Sequence, residues 1–248
     1  MAINIAIVVG HGKSKNGGYD PGACANGYEE FKLARECAKA AQEYLNANYD
    51  CKADLFNYKG DLYLYDRIKK FKDNTYKVLA ETHLNSSKNN TSTGTEVYYS
   101  KYSKGKIGQK AAKKVASQIA KDFGIRNRGA KILLNEEGKD HFAIIRETKP
   151  DALLIETLFI NSSDHKLIVD AKGQAKMGKA IALGIASALG LKAKVTYTLY
   201  TVKAGDSFWR IAAQQMGSGL KCNKLASFNG LKLTSVIRPG QVLKIPKK

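Results

Sequence analysis

The chain has 248 residues, 44% hydrophobic and 25% charged, enough for one sizeable globular domain and a small companion. No apolar run approaches the roughly 18–20 residues of a membrane span, which excludes membrane insertion by a helix. Forty-one Lys and Arg against 22 Asp and Glu leave a net charge of +19, a field that favours a polyanion: nucleic acid, anionic membrane or anionic cell wall. No Arg-rich tail, RNP-like aromatic run or helix-turn-helix pattern supports nucleic acid. The four cysteines form no C-x-x-C pair. They are expected to be small buried hydrophobes in a reducing compartment, not a zinc knuckle or a redox motif.

The N-terminal residues lack a basic n-region and a small-residue cleavage site. The expectation is a protein made in the cytoplasm without a signal peptide, with Ile3–Val9 as a buried first strand. Residues 31–45 place Phe31, Ala34, Ala38, Ala41 and Leu45 at helical spacing. Cys51–Phe56 reads as a strand, 61–71 as a helix, and 77–82 as a strand that delivers His83. Residues 96–100 form another strand, and Ile107–Phe123 an amphipathic helix closed by Gly124. Residues 153–155 read as a buried strand that delivers Glu156, and 174–189 as an Ala-rich helix ended by Gly190. Alternating strands and helices predict an α/β layer fold.

The texture changes at residues 190–196, which are short, basic and without periodicity. This predicts a first domain over residues 1–190, a linker over 191–197 and a small domain over 198–248. From Lys194 onward there are ten basic residues and one acidic, Asp206, a distribution that suits a surface-binding module. A tight helical segment over 207–215 lies between two short strand-like pieces.

The stretch "IVVGHGKSKNGG" raises a choice between a phosphate loop and a site built on His11. A P-loop needs a glycine five residues before Gly12; that position is Ile7, inside the strand. What remains is a histidine flanked by glycines at a strand end, where α/β proteins put their sites, or else a plain turn histidine. His83 follows a strand, Glu156 ends one, and Glu30 opens a helix. Two His and one Glu suit zinc with a fourth position left for water, and a second carboxylate suits a general base on that water. Taken singly, Glu30 also suits the helix dipole, and Glu156 an ion-paired core acid.

Six ordered motifs sharpen this. They are "VVGHG" with "DPGA", "GYEEF", "ETHLNS", "GTEVYYS", "NRGAK" and "IIRETKPDALLIETLFINSSD". Residues 3 to about 189 resemble the zinc-dependent N-acetylmuramoyl-L-alanine amidases of bacteria and their phages. The resemblance implies a twisted, mostly parallel sheet flanked by helices. It implies one Zn²⁺ held by His11, Glu30 and His83, with Glu156 as the catalytic glutamate. Glu29 is the neighbouring rival of Glu30, which stands three residues after Gly27 as the family's ligand does. Thr82, Leu84 and Thr157-Leu158 depart from the family pattern without removing a ligand. Arg146 is expected on a strand, as a substrate-orienting residue or an ion pair. His141 is placed in a polar loop, and His165 at the start of a helix after the capping cluster Ser162-Ser163-Asp164.

Residues 200–246 resemble a LysM peptidoglycan-binding module, in "YTVKAGDSFWRIAAQQMG", "LASFNGL" and "IRPGQVLKIP". The resemblance implies a βααβ fold that binds N-acetylglucosamine-containing glycan. Gly205, Asp206, Ser207 and Phe208 match one binding region, and Asn229, Gly230 and Leu231 the other. Trp209 with Ile211 is expected to form the small core. The resulting expectation is a peptidoglycan hydrolase cleaving the bond between N-acetylmuramic acid and L-alanine, of the phage endolysin type, acting on the wall after release. Anionic wall polymers are further partners, with neither nucleic acid nor membrane insertion. The rivals are a mother-cell or autolytic amidase, an inactive wall-binding protein and a nucleic-acid binder.

Overall fold

The computed structural model describes residues 2–103 and 105–247. The outer limits of the two expected domains, Met1 and Lys248, therefore lie outside the described residues. The chain divides into two compact units, Met1–Ala193 and Lys194–Lys248. Residues 191–193, read as linker, are held by the first unit: Asp50 N donates to Lys192 O at 2.9 Å, and Tyr49 bridges to Ala193.

In the first unit, strands β1 (Ile3–Val9), β2 (Cys51–Phe56), β3 (Val78–Asn85), β4 (Thr95–Tyr99), β5 (Asn127–Lys131) and β6 (Asp151–Phe159) form one sheet in the order β2-β1-β3-β6-β4-β5. The first four are parallel. β4 runs antiparallel to β6 and carries β5 parallel to itself. Period-two alternation sorts the side chains. Ile5, Ile7 and Val9 of β1, Val78 and Ala80 of β3, and Leu153 and Ile155 of β6 enter the core under helices α1 (Glu30–Asn48), α3 (Ile107–Phe123) and α5 (Ala171–Leu189). Ala6, Val8, Leu79, Ala152 and Leu154 face the short helices α2 (Leu64–Lys69) and α4 (Ala143–Arg146). Each fully buried Ile or Leu contributes on the order of 2 kcal/mol.

This alternation also aims the site. Glu81 and His83 share the Leu79 face of β3, and Glu156 shares the Leu154 face of β6. All three point to the α2/α4 side, at the carboxyl ends of the parallel strands. A register shift in β6 after Glu156 marks a bulge of the kind that re-aims side chains beside sites.

Several expectations are corrected. The helix expected over 61–71 is confined to Leu64–Lys69, because Asn57 Oδ1 caps Leu62 N and fixes the preceding turn. Arg146 ends a short helix, not a strand. β3 and β6 run past the expected ends, so His83 and Glu156 lie within strands. Cys37 and Cys51 are buried, but Cys24 is exposed and Cys222 half-buried; none of the four is in a disulfide.

The second unit pairs β7 (Tyr197–Thr201) antiparallel with β8 (Val242–Pro246) around α6 (Phe208–Met216) and α7 (Cys222–Phe228). Its core is Val202, Phe208, Ile211, Ala212, Leu225, Ala226, Leu243 and Ile245. Ser207 caps α6 by accepting from Arg210 N. Trp209 is 61% exposed and does not belong to this core. Helical spacing explains the correction: Phe208, Ile211 and Ala212 share one face at i, i+3 and i+4, and Trp209 is turned about 100° away.

Candidate metal centre and catalytic carboxylate

His11 follows β1 in the left-handed region, at φ +59°, a conformation that costs a non-glycine residue and concentrates at functional sites. It is held there by its carbonyl, which accepts from Asn57 Nδ2 at 2.8 Å and from Arg67 Nη1 at 3.1 Å. Glu30 is the first residue of α1 and is 4% exposed. His83 projects from β3 across Gly10, where a Cβ would lie 2.1 Å from the ring.

These three side chains meet. Glu30 Oε1 lies 3.2 Å from His11 Nε2 and 2.8 Å from His83 Nδ1. The donor atoms of His11, Glu30 and His83 are all within 4.8 Å of one another. Glu30 also accepts from Leu84 N and Ala23 N, which fixes its carboxylate independently of the rings. A further carboxylate lies beside the far nitrogen of each ring. Asp20 Oδ2 is hydrogen-bonded to His11 Nδ1 at 3.0 Å; Glu81 Oε2 lies 3.2 Å from His83 Nε2, which is buried without a hydrogen-bond partner. Glu81 in turn pairs with buried Arg67 at 3.0 Å. A histidine braced by a carboxylate, as His11 is by Asp20, is usual around a metal centre, and a His₂Glu donor set suits zinc. The residues present therefore fit the ion that the resemblance implies.

The electrostatics are those of a carboxylate held ionised. Burial opposes ionisation of Glu30, but the hydrogen bonds from His11 and His83 hold its carboxyl far below the usual range. Burial also opposes a charged His83 ring; its contacts with Glu30 and Glu81 prevail and raise it well above its ordinary value. His11 is raised in the same way against burial, chiefly by Glu30. Glu156 behaves oppositely. Burial pushes its carboxyl up to about 7, and its Oε2 is buried without a hydrogen-bond partner. Its backbone is fixed by Thr95 Oγ1, which donates to Glu156 O. His11, Glu30, His83 and Glu156 line one cavity of about 420 Å³, with Tyr63, Leu64, Phe142 and Ile144 as an apolar wall.

Glu29, the rival of Glu30, points away and pairs with Tyr19 and Lys32. Arg146 does not line the cavity. Its guanidinium donates to Asp140 O and His141 O and pairs with Glu147. His141 packs on Phe142. His165 is buried against Ser162 O and Asn26. Sequence reasoning missed Asp20, Glu81 and Arg67 as supports. The legible signal was Glu81, two residues before His83 and so on the same strand face.

In the second unit, Asp206, Ser207 and Phe208 line a groove with Trp209, Cys222, Leu233, Ser235, Val236 and Ile237. Gly205, Asn229, Gly230 and Leu231 do not line it. Asn229 instead pins α7 to β8, exchanging hydrogen bonds with Lys244 N and O at 2.7 and 2.9 Å. Asp206 accepts from Tyr200 Oη and Lys203 N. Phe208 is mostly committed to the core.

Comparison with known proteins agrees with this geometry. Residues 5–187 match the N-acetylmuramoyl-L-alanine amidase family model, and residues 200–246 match the LysM domain. The endolysin of Bacillus phage SPP1 is 27% identical over 183 residues, 72% of this chain and 65% of its own length. Among solved structures, Cwp6 from Clostridium difficile is 27% identical with a TM-score of 0.69, over 76% of this chain and 30% of its own. An N-acetylmuramoyl-L-alanine amidase from Clostridium difficile 630 is 28% identical with a TM-score of 0.65, over 76% of this chain and 97% of its own. The chain thus spans less than two thirds of the length of the phage endolysin and of Cwp6. With its sheet, its clustered donors and a family match over most of its length, the chain belongs to the N-acetylmuramoyl-L-alanine amidase family and carries a LysM domain behind the amidase unit.

Proposed function

We propose that the protein is a peptidoglycan hydrolase of the phage endolysin type. It cleaves the amide between N-acetylmuramic acid and the L-alanine of the stem peptide, and the LysM domain holds it on glycan containing N-acetylglucosamine. The observation that carries this reading is Glu156, a buried carboxyl with an unpartnered oxygen, in the same cavity as the His11, Glu30 and His83 donors. His11, Glu30 and His83 would hold the zinc ion, which when bound would supply Lewis-acid polarisation of the scissile carbonyl and lower the pKa of water there.

Glu156 handles the proton. Its Oε2 accepts the proton of the attacking water and returns it to the alanine nitrogen as the C–N bond breaks. A carboxyl raised to about 7 is matched to both halves of that transfer at neutral pH. Asp20 holds the His11 tautomer, Glu81 sets a negative charge beside the His83 ring, and the apolar wall limits the water that reaches the amide. The family match and the SPP1 endolysin relative support the wall substrate. Among the described residues no helix is long and apolar enough to cross a membrane.

Glu156→Gln is the test. It keeps shape and removes the base, so turnover on purified peptidoglycan falls by at least about 10²-fold, with zinc content and wall binding at parental levels. Parental turnover in this variant would remove Glu156 from the reaction.

A further inference from the structure

The candidate site makes no use of a lysine surface on α3 and α5. Lys106, the N-cap of α3, and Lys110, Lys113, Lys114 and Lys121 are all exposed. At about 100° per residue they fall within one arc of roughly 100°, and at 1.5 Å per residue they extend over about 22 Å. α5 adds Lys172, Lys176 and Lys179, exposed and spaced by four and three. The helices pack antiparallel and close. A Cβ on Gly184 would lie 2.5 Å from Val115 Cα, and Lys176 Nζ sits 4.5 Å from the centre of the Phe123 ring. Lys176 therefore stands beside the C-terminal end of the α3 stripe, while Lys179 Nζ reaches over the Tyr44 ring of α1 at 5.6 Å.

These charges are left without acidic partners among the described residues. The lysine ion pairs lie elsewhere, at Lys32, Lys39, Lys52, Lys69, Lys131 and Lys139. Asp122 on α3 accepts from Gln118, and Asp170 caps α5 through Gly173 N. The stripe works against the helix that carries it. Lys110 faces Lys106 and Lys114 at the repulsive four-residue spacing. The first turn of α3 has no acid, although the dipole favours negative charge there.

We propose that this face binds an extended phosphodiester polymer of the cell wall, a polyol-phosphate chain lying along α3 and past the end of α5. The choice of a wall polymer rests on the wall-hydrolase reading above. The chemistry narrows the partner further. A run of ammonium groups meets singly charged phosphodiesters as point charges, without the fork that arginine offers. Among the described residues α3 and α5 expose no arginine, and their half-buried aromatic, Phe123, is covered by Lys176, so nucleobases have no open ring on these helices to stack on. Neither helix exposes a large aliphatic side chain, so the face has no apolar side to bury in a bilayer.

The test uses the full chain and synthetic poly(glycerol phosphate), titrated between 50 and 200 mM salt (roughly the range over which such contacts weaken steeply). The variant is K110Q/K113Q/K114Q/K121Q, and the charge-matched control is K15Q/K52Q/K69Q/K70Q. The α3 variant is expected to bind at least about 10-fold more weakly, with a salt slope shallower by about 3. The control is expected to stay near the parent. Parental affinity in the α3 variant, or an equal loss in the control, overturns the proposal. So does tighter binding of single-stranded DNA or anionic phospholipid vesicles of matched charge that the α3 lysines also govern. Release of alanine amino groups from walls stripped of phosphate polymer is measured beside it and stays parental in the α3 variant. Loss of that release in the parent itself would refute the amidase reading, and the polymer titration would then decide on binding alone.

Discussion

Glu156 carries an energetic cost that its partners do not relieve. Its carboxyl is ordinary near 4.5 in the unfolded chain and sits at about 7 in the folded one. Below pH 4.5 it is neutral in both states and costs nothing. As pH rises towards 7 the unfolded state ionises first, so folding stability drains away, by about 3 kcal/mol above pH 7. In chelated protein, Glu156→Gln should therefore raise the stability of the amidase unit at pH 8 and leave it unchanged near pH 4. Denaturant unfolding at the two pH values measures this; a difference that does not depend on pH would contradict the burial argument. The four central residues drew notice in the sequence because each follows an apolar strand run or opens a helix, near the strand ends where α/β sites gather. Arg67 and Asp20 did not. They act on His11 and His83 through a folded loop and a second helix, and no spacing in the chain announces such contacts.

At the scale of elements, the sequence reading located the buried strands and long helices, because period-two and period-3.6 patterns declare themselves. It missed β5, where Asn127–Lys131 is half-exposed and has no alternation, and the four-residue helix α4, too short for a period. The reversed direction of β4 was hidden as well, since direction belongs to pairing and not to local pattern. Close approaches are equally invisible in one dimension. Gly10 passes under His83, so Gly10→Ala should push the ring off Glu30 and abolish zinc retention while β1 keeps its pairing. Zinc content after dialysis with far-ultraviolet circular dichroism tests this, and a fully loaded, active variant would contradict it. In the LysM unit, helical phase separates two neighbours. Phe208→Ala should cost about 3–5 kcal/mol. Trp209→Ala should change stability by less than about 0.5 kcal/mol and weaken binding of N-acetylglucosamine oligomers. Thermal unfolding of both variants decides which aromatic is core.

For the whole molecule, the charge excess and the two units fit the proposed function: an amidase unit and a LysM unit, both basic, suit an anionic solid substrate. Composition placed a change of texture at residues 190–196, and the two compact units part after Ala193. The tie from Asp50 N to Lys192 O, which draws residues 191–193 into the first unit, was not readable from composition. The central claim is that His11, Glu30 and His83 hold a zinc ion that, with Glu156, opens the muramoyl–alanine amide. The measurement that reaches it most directly is end-group analysis of purified peptidoglycan digested by the full chain, with chelator and with zinc restored. The account predicts new alanine amino termini and no new reducing sugar, lost on chelation and recovered with zinc. New reducing ends, or alanine release that chelation leaves untouched, would contradict it.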